Sequence, residues 1–143
     1  MSKQTSDLEN ELLHTSDINV YCDNNNTEFV KPSLSDYLNK LLISKNMIKA
    51  DVARASGLDH NYVYQIFTGL KHPPRDKVLA LAFAFRLTLE ETQDMLKKTG
   101  YGSLYARVER DSCIMHCFHK HYTLDETNAF LESRGEQQLF YVE

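Results

Sequence analysis

The chain has 143 residues, of which 42% are hydrophobic, and 16 basic against 20 acidic side chains leave it at −4. That length buries one real core and is most simply one domain with an appendage. Three cysteines without a framework spacing, no signal peptide and no long apolar run exclude a disulfide scaffold and a membrane protein, and fit a reducing cytoplasm.

The charge is unevenly placed. Residues 1–30 carry one lysine and six acids, residues 31–87 nine basic and four acidic groups, and residues 88–143 six basic and ten acidic groups. The middle segment is therefore the one suited to a polyanion, and the acidic ends should weaken non-specific binding to it.

From the start, residues 1–31 read as an acidic arm. Leu8, Leu12 and Leu13 make one amphipathic turn or two, consistent equally with a mobile tail and with a short helix docked on the body or on a dimer mate. Asn24, Asn25 and Asn26 mark a break before the core domain. Pro32 and a capping box from Ser33 to Asp36 open the next helix, in which Leu34, Tyr37, Leu38, Leu41 and Leu42 recur at helical spacing as a core stripe.

The stretch from Ile48 to Gly69 predicts two short helices joined by a tight turn. Val52 and Ala53 share a face of the first, and the small Ala53 lets the second approach closely. Gly57 ends the first helix, because glycine reaches positive φ without a Cβ clash. Leu58 anchors the turn, and Asp59 is placed to cap the second helix. Val63 and Ile66 point inward. His60, Asn61, Tyr64, Gln65 and Thr68 are left on or near the outer face, and Gly69 closes the helix.

This is the pattern of a helix-turn-helix unit, whose second helix lies in the major groove of DNA. Asn61 and Gln65, one turn apart, carry amides that pair in two-point fashion with adenine, and His60 at the helix start donates to a base or a phosphate. An ordinary helical hairpin with polar residues facing water has the same spacing.

After Gly69, Leu70 to Pro74 form a loop, and Pro74 starts a helix that includes Arg75 and Asp76. Its run VLALAFAF is apolar nearly all round and should be buried between other helices. Thr88 and Glu91 make a second capping box for a helix reaching Gly100.

From Ile48 to Met95 the chain resembles, without a gap, the XRE (Cro and lambda-repressor) family of DNA-binding domains. The matching residues are Val52-Ala53, Gly57, Val63, Ile66, Gly69, Pro73, Leu81-Ala82 and the helix start from Thr88 to Glu91. The resemblance implies an all-α, five-helix domain over residues 32–100, with a first helix at 34–45. By position it places base-reading residues at His60, Asn61 and Gln65, and phosphate contacts at Lys49 and in the segment holding Lys71, His72 and Arg75. With Tyr64, which shares the outer face, the candidate DNA-binding set is Lys49, His60, Asn61, Tyr64, Gln65, Lys71 and Arg75.

Residues 101–143 add something that the resemblance does not supply. The segment 75–100 reappears without gaps at 110–135. Arg75-Asp76 matches Arg110-Asp111, Phe83 matches Phe118, Thr88-Leu89 matches Thr123-Leu124, Glu91-Thr92 matches Glu126-Thr127, and Leu96 and Gly100 match Leu131 and Gly135. This is the signature of a repeated helical hairpin, although two amphipathic hairpins with common Thr-x-x-Glu caps also look alike by chance. Residues 104–135 are thus expected to stack on the preceding pair as a C-terminal hairpin. The exposed apolar end of that stack needs the arm or a second subunit to cover it, so the segment from Tyr105 to Val142 is expected to contribute to a homodimer.

Within the repeat, Cys113, Cys117 and their neighbouring histidines invite a zinc or redox reading. Cys113 and Cys117 align with Val78 and Ala82, however, which makes them small core residues, and no second element supplies further ligands. No metal or cofactor is expected. Neither is an enzyme, since there is no phosphate-cradling glycine loop and no activated nucleophile. Two functions remain. One is a sequence-specific transcriptional regulator that binds double-stranded DNA. The other is an adaptor for a protein partner, with Tyr62, Tyr64 and Phe67 as its docking surface.

Overall fold

A computed structural model describes residues 3–25 and 33–139, and among these the regular structure is entirely helical. The chain divides into two compact units, Met1–Lys31 and Pro32–Glu143.

The first unit holds α1 (Thr5–His14) and α2 (Ile18–Asn24). Asp7 accepts from the Gln4 amide at 3.2 Å to cap α1, and Asp17 accepts from the Asn19 amide at 2.9 Å to cap α2. The polar core of this unit is Asn25. Its side-chain amide is buried and donates to the Glu11 carboxylate at 2.8 Å and to the Tyr21 carbonyl at 3.0 Å. The Lys3 ammonium donates to both Glu11 and Asn25, and the bond from Lys3, then that from Asn25, holds the Glu11 carboxyl below its usual range. An asparagine expected in a break is thus what ties the two helices together. Asn26 lies outside the described residues. Leu12 and Leu13 of the predicted amphipathic stripe are exposed within this unit.

The second unit runs α3 (Leu34–Lys45), α4 (Lys49–Ser56), α5 (His60–Phe67), α6 (Arg75–Ala84), α7 (Leu89–Lys98), α8 (Glu109–His119) and α9 (Leu124–Ser133). The helix expected at 34–45 has those bounds, but its capping box does not form. Ser33 is the N-cap with ψ of 87°, against 167° and 168° at the two threonine caps, so its hydroxyl is not turned toward the amide three residues on. Pro32 lies outside the described residues. Leu34 and Leu38 are buried, with Tyr37, Leu41 and Leu42 packed beside them. The Tyr37 hydroxyl donates to Asp94 at 2.7 Å and links α3 to α7. That bond is the main reason the Asp94 carboxyl lies below its ordinary value. Every residue from Val78 to Phe85 is buried, because a helix apolar on all faces is satisfied only when other helices enclose it.

The repeat holds down to single hydrogen bonds. Shifted by 35 residues, α7 gives the bounds of α9, and α6 gives those of α8 except that α8 begins one residue earlier. Thr88 and Glu91 cap each other with bonds of 3.0 and 3.1 Å, and Thr123 and Glu126 do the same at the same lengths. Gln93 accepts from the Leu104 amide, as Asn128 accepts from the Leu139 amide. Arg86 and His121, also equivalent, both have positive φ at the ends of α6 and α8.

The two copies meet crosswise. Arg75 donates to Asp111 at 2.6 and 3.1 Å, and Arg110 donates to Asp76 at 3.0 and 3.1 Å. Arg75 also reaches the carbonyls of Gly102 and Ser103, and Arg110 those of Gln137 and Gln138, again 35 residues on. Phe83 stacks on its own counterpart, Phe118, with centroids 4.0 Å apart and planes 13° from parallel. Helix α6 packs on α9 while α7 packs on α8. When residue i meets j and the copy of j meets the copy of i, the contact is isologous and closes on itself. The sequence predicts a stack with an open apolar end; among the described residues the two copies cover each other as a two-fold pair, and the large apolar side chains left exposed in these hairpins are Tyr105 and Val108.

Candidate nucleic-acid interface

Helices α4 and α5 are locked at their turn from inside. The buried Ser56 hydroxyl donates to the Ala53 carbonyl at 2.8 Å and accepts from the Leu58 amide at 3.2 Å, and Gly57 takes φ of 70°. Asp59 then caps α5 by accepting from the Tyr62 amide at 3.0 Å. Val52, Ala53, Val63 and Ile66 are fully buried between the two helices and the core.

The far end of α5 is tied down by a residue that the sequence does not single out. The Asn39 amide on α3 donates to the Ser35 carbonyl at 2.8 Å and to the Phe67 carbonyl at 2.9 Å, fixing the last turn of α5 to α3. Only the tertiary fold brings Asn39 and Phe67 together, so no local pattern announces it. Gly69 follows with φ of +83°, a conformation that calls for glycine, and a Cβ there would lie 3.3 Å from Ser35 Oγ. The Leu70 and Lys71 amides donate to the Gln65 carbonyl, which turns the chain back and sets Lys71 beside the end of α5.

What remains outward on α5 is a single stripe. His60, Asn61, Tyr64 and Thr68 are exposed and Gln65 is half-buried. The amides of Asn61 and Gln65 make no side-chain hydrogen bond among the described residues, and the His60 ring rests edge-on against Tyr64 with centroids 6.5 Å apart. Lys49, half-buried in the first turn of α4, holds its ammonium 5.7 Å from the centre of the Phe67 ring, and Lys71 and His72 are exposed. Ile48 at the start of α4 supplies no side-chain acceptor for the first amides.

Two expectations change. Arg75 is not free to meet phosphate, because its guanidinium forms the two-point pair with Asp111, whose side chain is only 4% exposed. The sequence shows a cation next to the helix-turn-helix but not its partner 36 residues away. The aromatic docking surface also shrinks. Phe67 is buried against Phe85, and Tyr62 is half-buried with the Lys77 ammonium 4.4 Å over its ring, leaving Tyr64 as the outward aromatic of the three.

Cys113 and Cys117 lie in the core, at the places corresponding to the buried Val78 and Ala82. Burial pushes the Cys117 thiol up, partly offset by the Thr127 hydroxyl. Among the described residues no group of three or more His, Cys, Asp and Glu side chains is placed to hold a metal. Cys113→Val with Cys117→Ala is expected to leave the helical content and the unfolding midpoint within about 1 kcal/mol of the parent. Metal analysis of the purified parent is expected to find no stoichiometric zinc; one zinc per chain would refute the core reading.

A helix-turn-helix family model matches residues 38–91, from within α3 to the first turn of α7, with α4 and α5 entire. No curated protein and no solved structure matches the chain. Among the described residues no helix is long and apolar enough to cross a membrane.

Proposed function

Since residues 38–91 form an XRE-type helix-turn-helix domain, we propose that the protein is a cytoplasmic, sequence-specific DNA-binding regulator of transcription that reads duplex DNA with the outer face of α5. The observation that carries this is the stripe of His60, Asn61, Tyr64 and Gln65 on a helix pinned at both ends, with two amides that have no side-chain partner among the described residues. A rigid helix presenting unsatisfied amides is suited to base edges. Asn61 and Gln65 read bases, His60 meets a base or a phosphate, Tyr64 packs beside them, and Lys49 and Lys71 hold the phosphate backbone. Arg75 is withdrawn from this set.

Selection from a random duplex pool tests the reading, with enrichment of one short sequence expected. Binding should fall steeply with added salt. Lys49→Ala and Lys71→Ala should each weaken all sequences alike and reduce the salt slope by about one ion. A pool that enriches nothing, together with salt-insensitive binding, sinks the proposal.

A homodimer belongs to the same reading, because one recognition helix spans only one half-site. Its support now comes from Tyr105 and Val108, which are exposed between α7 and α8, rather than from an open end of the hairpin stack. Sedimentation of the intact chain at micromolar concentration should show a dimer that Tyr105→Ser with Val108→Ser dissociates. A monomeric parent overturns this assembly without touching the DNA reading.

A further inference from the structure

A cavity of about 510 Å³ opens where the two hairpins meet at the ends of α6 and α8, and the internal two-fold sets its walls. The equivalent pairs Phe83 and Phe118, Leu87 and Tyr122, and Arg86 and His121 all line it. Ala55 reaches in from α4 and Asp125 from α9. The volume falls in the range of small-molecule sites, and its walls mix aromatic and aliphatic side chains with Arg86, His121, Thr123 and Asp125.

The two nitrogen-bearing positions, Arg86 and His121, share a backbone conformation. Arg86 has φ of 56° and His121 has φ of 58°, in the left-handed region that four glycines occupy elsewhere in this chain. Glycine would fill both positions without strain, so the fold does not ask for these side chains there. Both are exposed, and neither side chain makes a hydrogen bond or an ion pair among the described residues. Residues other than glycine, left without a side-chain partner where they line a cavity, point to use.

We infer that this cavity binds a small organic anion with an apolar, ring-sized body, whose negative group pairs with Arg86 and His121 while the body enters between Phe83, Leu87 and Tyr122. Asp125, which also lines the cavity, selects against a second negative group and accepts from a donor on the ligand. The site lies apart from the α5 stripe, and its test needs no DNA. Occupancy touches α4 through Ala55 as well as both hairpins.

The probe is 8-anilinonaphthalene-1-sulfonate, an aromatic monoanion, added to the intact protein and followed by fluorescence and calorimetry. Saturable binding of one probe per chain is expected. Arg86→Gly, which relaxes the backbone and so keeps the fold, should weaken it about tenfold, and Ala55→Phe, which fills the cavity from the α4 side, should abolish it. A neutral probe, N-phenyl-1-naphthylamine, should respond much less to Arg86→Gly than the sulfonate does. Binding of several probes per chain, or sulfonate binding that survives both variants, overturns the inference. Retained helical circular dichroism in each variant separates loss of the site from loss of the fold.

Discussion

Replacing Arg75 by alanine is expected to destabilise the larger unit by about 3–5 kcal/mol, the cost of leaving one buried charge without its partner. Asp111 is 4% exposed and accepts both bonds from the guanidinium; without them it keeps only the Tyr105 amide at 3.0 Å. Arg54 makes a comparison within the helix-turn-helix itself. It pairs with Asp51 at 3.2 Å with both side chains well exposed, and its removal should cost less than about 1 kcal/mol. Urea unfolding followed by circular dichroism separates the two. Removing Asp111 as well should recover part of the loss, because the double variant no longer buries a lone charge. If Arg75→Ala and Arg54→Ala unfold at the same urea concentration, the crosswise pairs are not holding the hairpins together.

The largest effect on binding is expected from Asn61→Ala combined with Gln65→Ala. Each amide, if it makes two bonds to a base edge, is worth about 1–3 kcal/mol of discrimination on the preferred site. The two are one helical turn apart and meet different base pairs, so their losses should roughly add, giving on the order of a hundredfold or more. The specific signature is in the pattern as well as the size. Affinity for unrelated duplex should stay nearly constant, since phosphate contacts from Lys49 and Lys71 supply it. Asn61 is exposed and Gln65 half-buried, and neither amide has a side-chain partner among the described residues, so thermal unfolding should move little. A double variant that still prefers the selected sequence as the parent does removes these residues from base reading.

Much of the architecture was legible because it is written in local rules. Helix ends at Gly57, Gly69, Asp59, Thr88 and Thr123 follow from which residues tolerate positive φ or supply a capping oxygen, and these depend only on near neighbours. Inward and outward positions on α5 follow from its period, which is why Val63 and Ile66 are buried and Asn61 is not. The errors come from contacts distant in sequence. Arg75 looked like a phosphate ligand because charge was visible and Asp111 was not in view. Tyr62 and Phe67 looked like an aromatic surface because their burial depends on Phe85 and Lys77 in α6 and at its end. The capping box at Ser33 had the right letters, but its backbone angles differ from those of the two threonine caps.

The crosswise pairing of the two hairpins has a further consequence when read as a competition. Helices α8 and α9 are joined to α6 and α7 by a short connection, so the copy that covers this face is held at an effective concentration of about millimolar. A hairpin from another chain would have to match that concentration to displace it. At micromolar protein, exchange between molecules is therefore disfavoured by roughly a thousandfold, and the chain carries its own tethered subunit in place of a neighbour's. Lengthening the connection around Gly102, where an added side chain meets nothing within 4 Å, would lower that local concentration and let chains trade hairpins.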